Sequence, residues 1–207
     1  MSEMKVGGSV KLKGPVSFDT IEIGGSLKVE GDLEVSNELK IGGSGKITGK
    51  LKAGRVRIGG SLSVQGEVEI GELVIGGSAS LGGGYVNELV VGGSLKTGIL
   101  RVERARISGG FQGTLIGKEI VVEKKSKIRG KIVAEKLIIK RNAEVEHAIA
   151  TEAVVERNAD VDILECVKCV IGRNAWVGLL KYVEEYDAAE ADIDRVEKVD
   201  SLSMKPG

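Results

Sequence analysis

Two cysteines, one histidine and a recurring glycine pair are the residues of this chain whose types and spacing could do chemistry. Cys166 and Cys169 have the separation of a redox dithiol or of half a zinc knuckle, but no second half follows. Counted in the repeat described below, Cys166 takes the place of Ala150 and Ala134, and Cys169 that of Ala153 and Leu137. Both therefore read as small apolar core residues beside a corner. His147 follows Val145-Glu146 at an expected corner, and a solvated side chain is the simplest reading there. A lone imidazole cannot supply the several ligands of a zinc site. Pairs such as Gly24-Gly25 have the composition of phosphate-cradling loops, yet none leads into a lysine-serine helix start. Glycine here turns a tight corner at little steric cost. No catalytic, cofactor-binding or metal-binding residue is expected, so the chain reads as a non-enzyme without a small-molecule substrate.

The elements that carry these residues follow from one stretch, Ile23-Gly24-Gly25-Ser26. Its β-branched residue, glycine pair and serine return at Val6, Ile41, Ile58, Ile75 and Val91. The β-branched anchor continues without glycines at Ile107, Val122, Ile139, Val155 and Ile171, with spacings between 15 and 18 residues. Such a period marks a solenoid, in which no unit buries its apolar face until neighbours stack on it. Within a repeat the apolar residues alternate with polar ones, as Leu27/Val29, Leu33/Val35 and Leu39/Ile41 show, and this is strand spacing. Lys28, Glu30, Glu34 and Lys40 between them face water. The spacing predicts an all-β parallel β-helix of about 12 rungs of 15–18 residues, with three short strands per rung. Stacked at about 4.8 Å, these rungs would extend roughly 55 Å.

The expected organisation is a short tail over residues 1–5, a single β-helix domain over 6–202 and a short tail over 203–207. From Lys140 onward the corner changes to Arg141-Asn142-Ala143, Arg157-Asn158-Ala159 and Arg173-Asn174-Ala175. Asparagine tolerates the left-handed conformation, and the three amides are expected to stack as a ladder. A last rung is expected through Ala191, Ile193, Val196 and Val199. The segment Gly82-Gly83-Gly84-Tyr85-Val86-Asn87 alternates poorly and reads as a loose corner or bulge.

Thirty basic residues balance thirty acidic ones, so no net field points to nucleic acid or a membrane. The charge is nevertheless segregated: residues 101–141 hold twelve Lys/Arg against four Asp/Glu, and residues 142–207 hold seven against fifteen. Lys124, Lys125, Lys127, Arg129 and Lys131 make a dense basic run that could meet an anionic membrane surface. No aromatic residues interleave with it, which weighs against a base-stacking site, and no nucleic acid is expected as a partner. The start Met1-Ser2-Glu3-Met4-Lys5 lacks the apolar run of a signal peptide, and the two cysteines suit a reducing compartment, so a cytoplasmic protein is expected.

Runs such as Ile58-Gly59-Gly60-Ser61-Leu62-Ser63-Val64-Gln65-Gly66-Glu67-Val68 resemble the bactofilins, polymer-forming cytoskeletal proteins, and the likeness covers roughly residues 6–180. The resemblance implies a right-handed β-helix that assembles end to end into nucleotide-independent filaments, often on a membrane or beside envelope-associated proteins. The residues reach assembly separately, because an open β-helix exposes backbone and apolar core at its ends. Val6, Val10 and Leu12 at one end, and Ile193, Val196, Val199, Leu202 and the outward-pointing Trp176 at the other, are the expected polymer interface. Two alternatives stay open: a hexapeptide-type left-handed β-helix acyltransferase or carbonic-anhydrase-like enzyme, and a β-helical spacer in a larger complex. Drift from the strict hexad of the first weighs against it.

Overall fold

Alternating apolar and polar residues give strand after strand, and in the computed structural model every regular element is β. The structure describes residues 2–188 and 190–204, and no helix occurs among them. Parallel strands stack as a β-solenoid of about eleven turns, the architecture that the repeat predicts. The chain divides into two compact units, Met1–Arg101 and Val102–Gly207.

The first unit contains β1 (Glu3–Val6), β2 (Ser9–Lys13), β3 (Val16–Ile23), β4 (Ser26–Glu30), β5 (Leu33–Ile41) and β6 (Ser44–Ile47). It continues with β7 (Leu51–Ile58), β8 (Ser61–Val64), β9 (Val68–Ile75), β10 (Ser78–Leu81) and β11 (Gly84–Val91), and the boundary falls inside β12 (Ser94–Ile107). Each turn is a short strand followed by a long one, and each pairs in parallel with its counterpart a turn later, β4 with β6 and β5 with β7. The anchor residues form one ladder, Val6 beside Ile23, then Ile41, Ile58, Ile75 and Val91. Two of the three short strands expected per rung run together, because pairing continues through the bend at Ser36-Asn37 with only a register shift between Val35 and Glu38.

Side chains follow the alternation. Leu27, Val29, Leu33, Val35, Leu39 and Ile41 are all buried, as are Leu62, Val64, Val68, Ile70, Leu73 and Ile75. Between the turns the outer face is laced by ion pairs, Lys11 lying 2.8 Å from Glu30, Lys52 3.1 Å from Glu69 and Arg55 2.6 Å from Glu72, and Lys28 in the strand of Glu30 also lies 2.8 Å from its carboxylate. Hydrogen bonds from Lys11 first and Lys28 second hold the Glu30 carboxyl down at about 2.

The glycine pair has a different reason from the one the sequence suggests. Neither glycine of the Gly24-Gly25 or Gly59-Gly60 corner has a positive φ. A Cβ on Gly60 would instead stand 2.0 Å from the Gly43 carbonyl oxygen one turn away, and one on Gly25 2.1 Å from that of Gly8. At Gly59 the nearest atom would be 3.8 Å away. The second glycine is thus fixed by close backbone approach, and the first is not. Of the segment read as a loose corner, only Gly82 and Gly83 lie outside a strand; Tyr85, Val86 and Asn87 belong to β11, with Val86 fully buried.

The second unit contains the end of β12, then β13 (Gly110–Val122), β14 (Lys127–Ile139), β15 (Glu144–Val155), β16 (Asp160–Ile171), β17 (Trp176–Ala188) and β18 (Asp192–Lys198). Here one strand of twelve or thirteen residues spans most of a turn in β13 to β17. Val122, Ile139, Val155 and Ile171 continue as a ladder. Asn142, Asn158 and Asn174 adopt φ of 60°, 55° and 54°, the left-handed conformation expected of them. The Asn142 backbone N–H donates to the Asn158 carbonyl at 3.1 Å, whereas those of Asn158 and Asn174 donate to the Arg173 and Glu190 carbonyls at 3.2 and 2.9 Å, so the corners are joined by backbone hydrogen bonds.

Both expected tails take part in the fold. Glu3, Met4 and Lys5 are in β1 and pair with Thr20, Ile21 and Glu22. Ser203 lies against Glu165, while residues 1 and 205–207 lie outside the described residues.

Candidate functional site

The cysteine pair sits where the repeat puts it. Cys166 is beside Ala150, which is beside Ala134, and Cys169 is beside Ala153, which is beside Leu137. Both thiols are free and buried. The hydrogen bond with Cys169 first, and burial second, push the Cys166 thiol far above its ordinary value. A thiol shifted in this direction favours its neutral form, whereas thiolate is the form that attacks or binds metal. Among the described residues no group of three or more His, Cys, Asp or Glu side chains is placed to hold a metal ion.

His147 corrects the expectation of a solvated corner residue. It lies within β15, half-buried, with Nε2 3.2 Å from Oε1 of Glu165. Glu165 is 3% exposed, its second oxygen accepts the Ser203 backbone N–H at 2.9 Å, and Lys181 Nζ stands 4.0 Å from the first. Burial raises this carboxyl, but the Ser203 hydroxyl and N–H, His147 and Lys181 together outweigh it and leave it below the ordinary value. Register explains the placement: Glu165 occupies the column of Ile149 and Val133, which alternation points outward and which are nevertheless fully buried. The consecutive apolar triplets Ile132-Val133-Ala134 and Ala148-Ile149-Ala150 carry the signal that this outer column is covered, and sequence reasoning missed it.

At the two ends the expected interface residues differ in character. Val6, Val10 and Leu12 are half-buried, whereas the residues beside them one turn on, Ile23, Leu27 and Val29, are buried. Among the described residues β1 and β2 each pair along one side only, with β3 and β4. At the other end Ile193 pairs beside Val177 and Val196 beside Leu180, so the last rung forms as the count predicts, with Val196 42% exposed and Val199 half-buried. Leu202 does not continue the ladder. β18 ends at Lys198, the Val199 N–H donates to the Tyr182 carbonyl, and the chain then reaches Glu165 through Ser203. The Tyr182 and Tyr186 rings meet edge to face at 4.8 Å beside this rung.

Trp176 points outward as expected, yet it is engaged on the outer face. Its indole N–H donates to Asp194 at 3.2 Å, and its ring edge covers Gly178, where a Cβ would meet it at 3.1 Å. The basic run is split likewise. Lys125 makes a turn with φ of 61°, Lys127 is paired with Glu144 at 2.7 Å, and Arg129 lines an open groove with Glu144, Glu146, Asp160, Asp162 and Trp176. No clean cationic surface results.

A parallel β-solenoid with a stacked apolar core is consistent with a structural scaffold. Comparison of the chain with protein-family models, with curated proteins and with solved structures finds no match in any of the three.

Proposed function

We propose that this chain is a non-enzymatic structural protein that assembles end to end, without nucleotide, into filaments or scaffolds of the bactofilin kind in the cytoplasm. The observation that carries this reading is the turn formed by β1 and β2. Its inward residues Val6, Val10 and Leu12 are half-buried at the head of ladders that are buried from the next turn on, and its strands pair along one side. A further turn stacked there would bury each aliphatic side chain with a gain of roughly 1–2 kcal/mol and supply the unpaired backbone groups with partners. Val196, Ile193 and Val199 offer a like surface at the other end. An anionic membrane is a weaker partner, since Lys127 of the basic run is already neutralised by Glu144.

Electron microscopy and sedimentation of the purified chain without nucleotide test the reading. Long filaments are expected, and they should shorten to small species in Val10→Lys/Leu12→Lys, which places charge in a face that must lose its water. Circular dichroism of that variant should stay β-rich. Normal filaments from it would remove the joint from β1 and β2, and monodisperse wild-type particles would favour the spacer reading.

A further inference from the structure

We infer that the outer face of the second unit docks sideways on a second copy of this chain, in antiparallel orientation. In each of four successive turns the residue before the buried anchor faces outward and is apolar: Val121, Ile138, Val154 and Val170 stand side by side. Ile138 is 38%, Val154 42% and Val170 50% exposed, at a position where the first unit carries Glu22, Lys40 and Arg57 and then only Val74 and Val90, a shorter apolar run than these four turns. A stripe of β-branched side chains on a solvated sheet face marks a contact.

The charges that flank the stripe identify the occupant. Two residues before the apolar ones, the exposed column reads Glu119, Lys136, Glu152, Lys168. A two-fold axis across the stripe, midway between the turns of Ile138 and Val154, sets Lys136 against Glu152 of the second copy, and it brings Glu119 to Lys168, which Glu185 and Glu184 of its own chain already hold at 3.1 and 3.3 Å, so the Lys136–Glu152 pair carries the charge match. The same axis sets Ile138 on Val154 and Val121 on Val170, so charge and apolar complementarity share one centre. On the far flank the corner residues of the same turns are Glu123, Lys140 and Glu156. A parallel pairing would bring each flank onto the other, Glu119 on Glu123, Lys136 on Lys140 and Glu152 on Glu156, with like charges at three of the four turns, the fourth setting Lys168 on Gly172. The antiparallel arrangement is therefore selected.

Four turns cover roughly 15 Å of face at about 4.8 Å per turn. That is well short of the ~800 Å² per partner of a stable interface. A single contact is accordingly weak, and it gains strength when many copies are aligned. It does not depend on end-to-end assembly.

Disulfide trapping on the full chain tests it. Lys136→Cys and Glu152→Cys chains mixed in equal amounts should give several-fold more cross-linked dimer under mild oxidation than either variant alone. In a charge test, Lys136→Glu should weaken lateral association at least tenfold, and Lys136→Glu/Glu152→Lys, which exchanges the two signs, should restore it. Equal trapping of each variant with itself, absence of trapping in the mixture, or a double reversal no better than the single one would overturn the proposal. Val10→Lys/Leu12→Lys should leave the trapping intact while shortening filaments, which separates a failure of this contact from a failure of the end joint.

Discussion

A carboxylate buried without partners costs far more than a hydrogen bond returns, so Glu165 holds its place only through the groups that converge on it. Those groups come from three places: His147 in the preceding turn, Lys181 in the following one, and the Ser203 amide 38 residues along the chain. The direction of its titration gives a testable sign. With the folded value below the ordinary 4.5, the stabilisation is fully present above that value and is lost as pH falls through the folded one. Acidification should therefore loosen residues 199–204 before the strands, which hydrogen exchange of their amides would register. Glu165→Gln, which keeps the shape and removes the charge, should cost about 1–3 kcal/mol and flatten that pH dependence. Unchanged acid sensitivity in the glutamine variant would assign the loosening to other carboxylates.

At the scale of the element, the corner determines how a turn stacks, and the two glycines of each pair separate into different roles. Gly60→Ala must move backbone, because its methyl would overlap the Gly43 carbonyl oxygen, whereas Gly59→Ala meets nothing closer than 3.8 Å. Thermal or urea unfolding should show Gly60→Ala destabilised by roughly 2 kcal/mol or more and Gly59→Ala within about 0.5 kcal/mol of wild type. Equal effects would return the pair to a simple turn role. This contrast also shows what a sequence can and cannot disclose. Anchors such as Ile41 and Val155, the inward list and the register of Cys166 were legible because strand period and repeat period are both written in residue type. The overlap at Gly60 was not, since it depends on an atom one turn away. In the apolar doublets Val121-Val122, Ile138-Ile139, Val154-Val155 and Val170-Ile171 the anchor is the second member, which turns the first outward, yet how much of that first member stays exposed is decided by what packs around it. Likewise the return of the chain to Glu165 has no periodic trace, and it draws Leu202 out of the ladder to which counting had assigned it.

At the scale of the whole molecule, charge segregation along the sequence becomes neutralisation between neighbouring turns, as Lys127 with Glu144 and Lys140 with Glu123 show. Each glycine corner of the first unit, for its part, receives the carbonyl of the previous corner in the same way: Gly43 over Gly25, Gly60 over Gly43 and Gly77 over Gly60. Because these seats are interchangeable, the gene can gain or lose a repeat by unequal recombination without a misfit at the scar, and the number of turns becomes heritable variation. Removing residues 42–58 would join Ile41 to Gly59-Gly60-Ser61 and set Gly60 over Gly25 and Val68 beside Leu33. Such a chain should fold with one turn fewer and melt within a few degrees of the parent by calorimetry, while a deletion of half that length should not fold. If the full-repeat deletion also fails, the corners are individually fitted and copy number cannot drift.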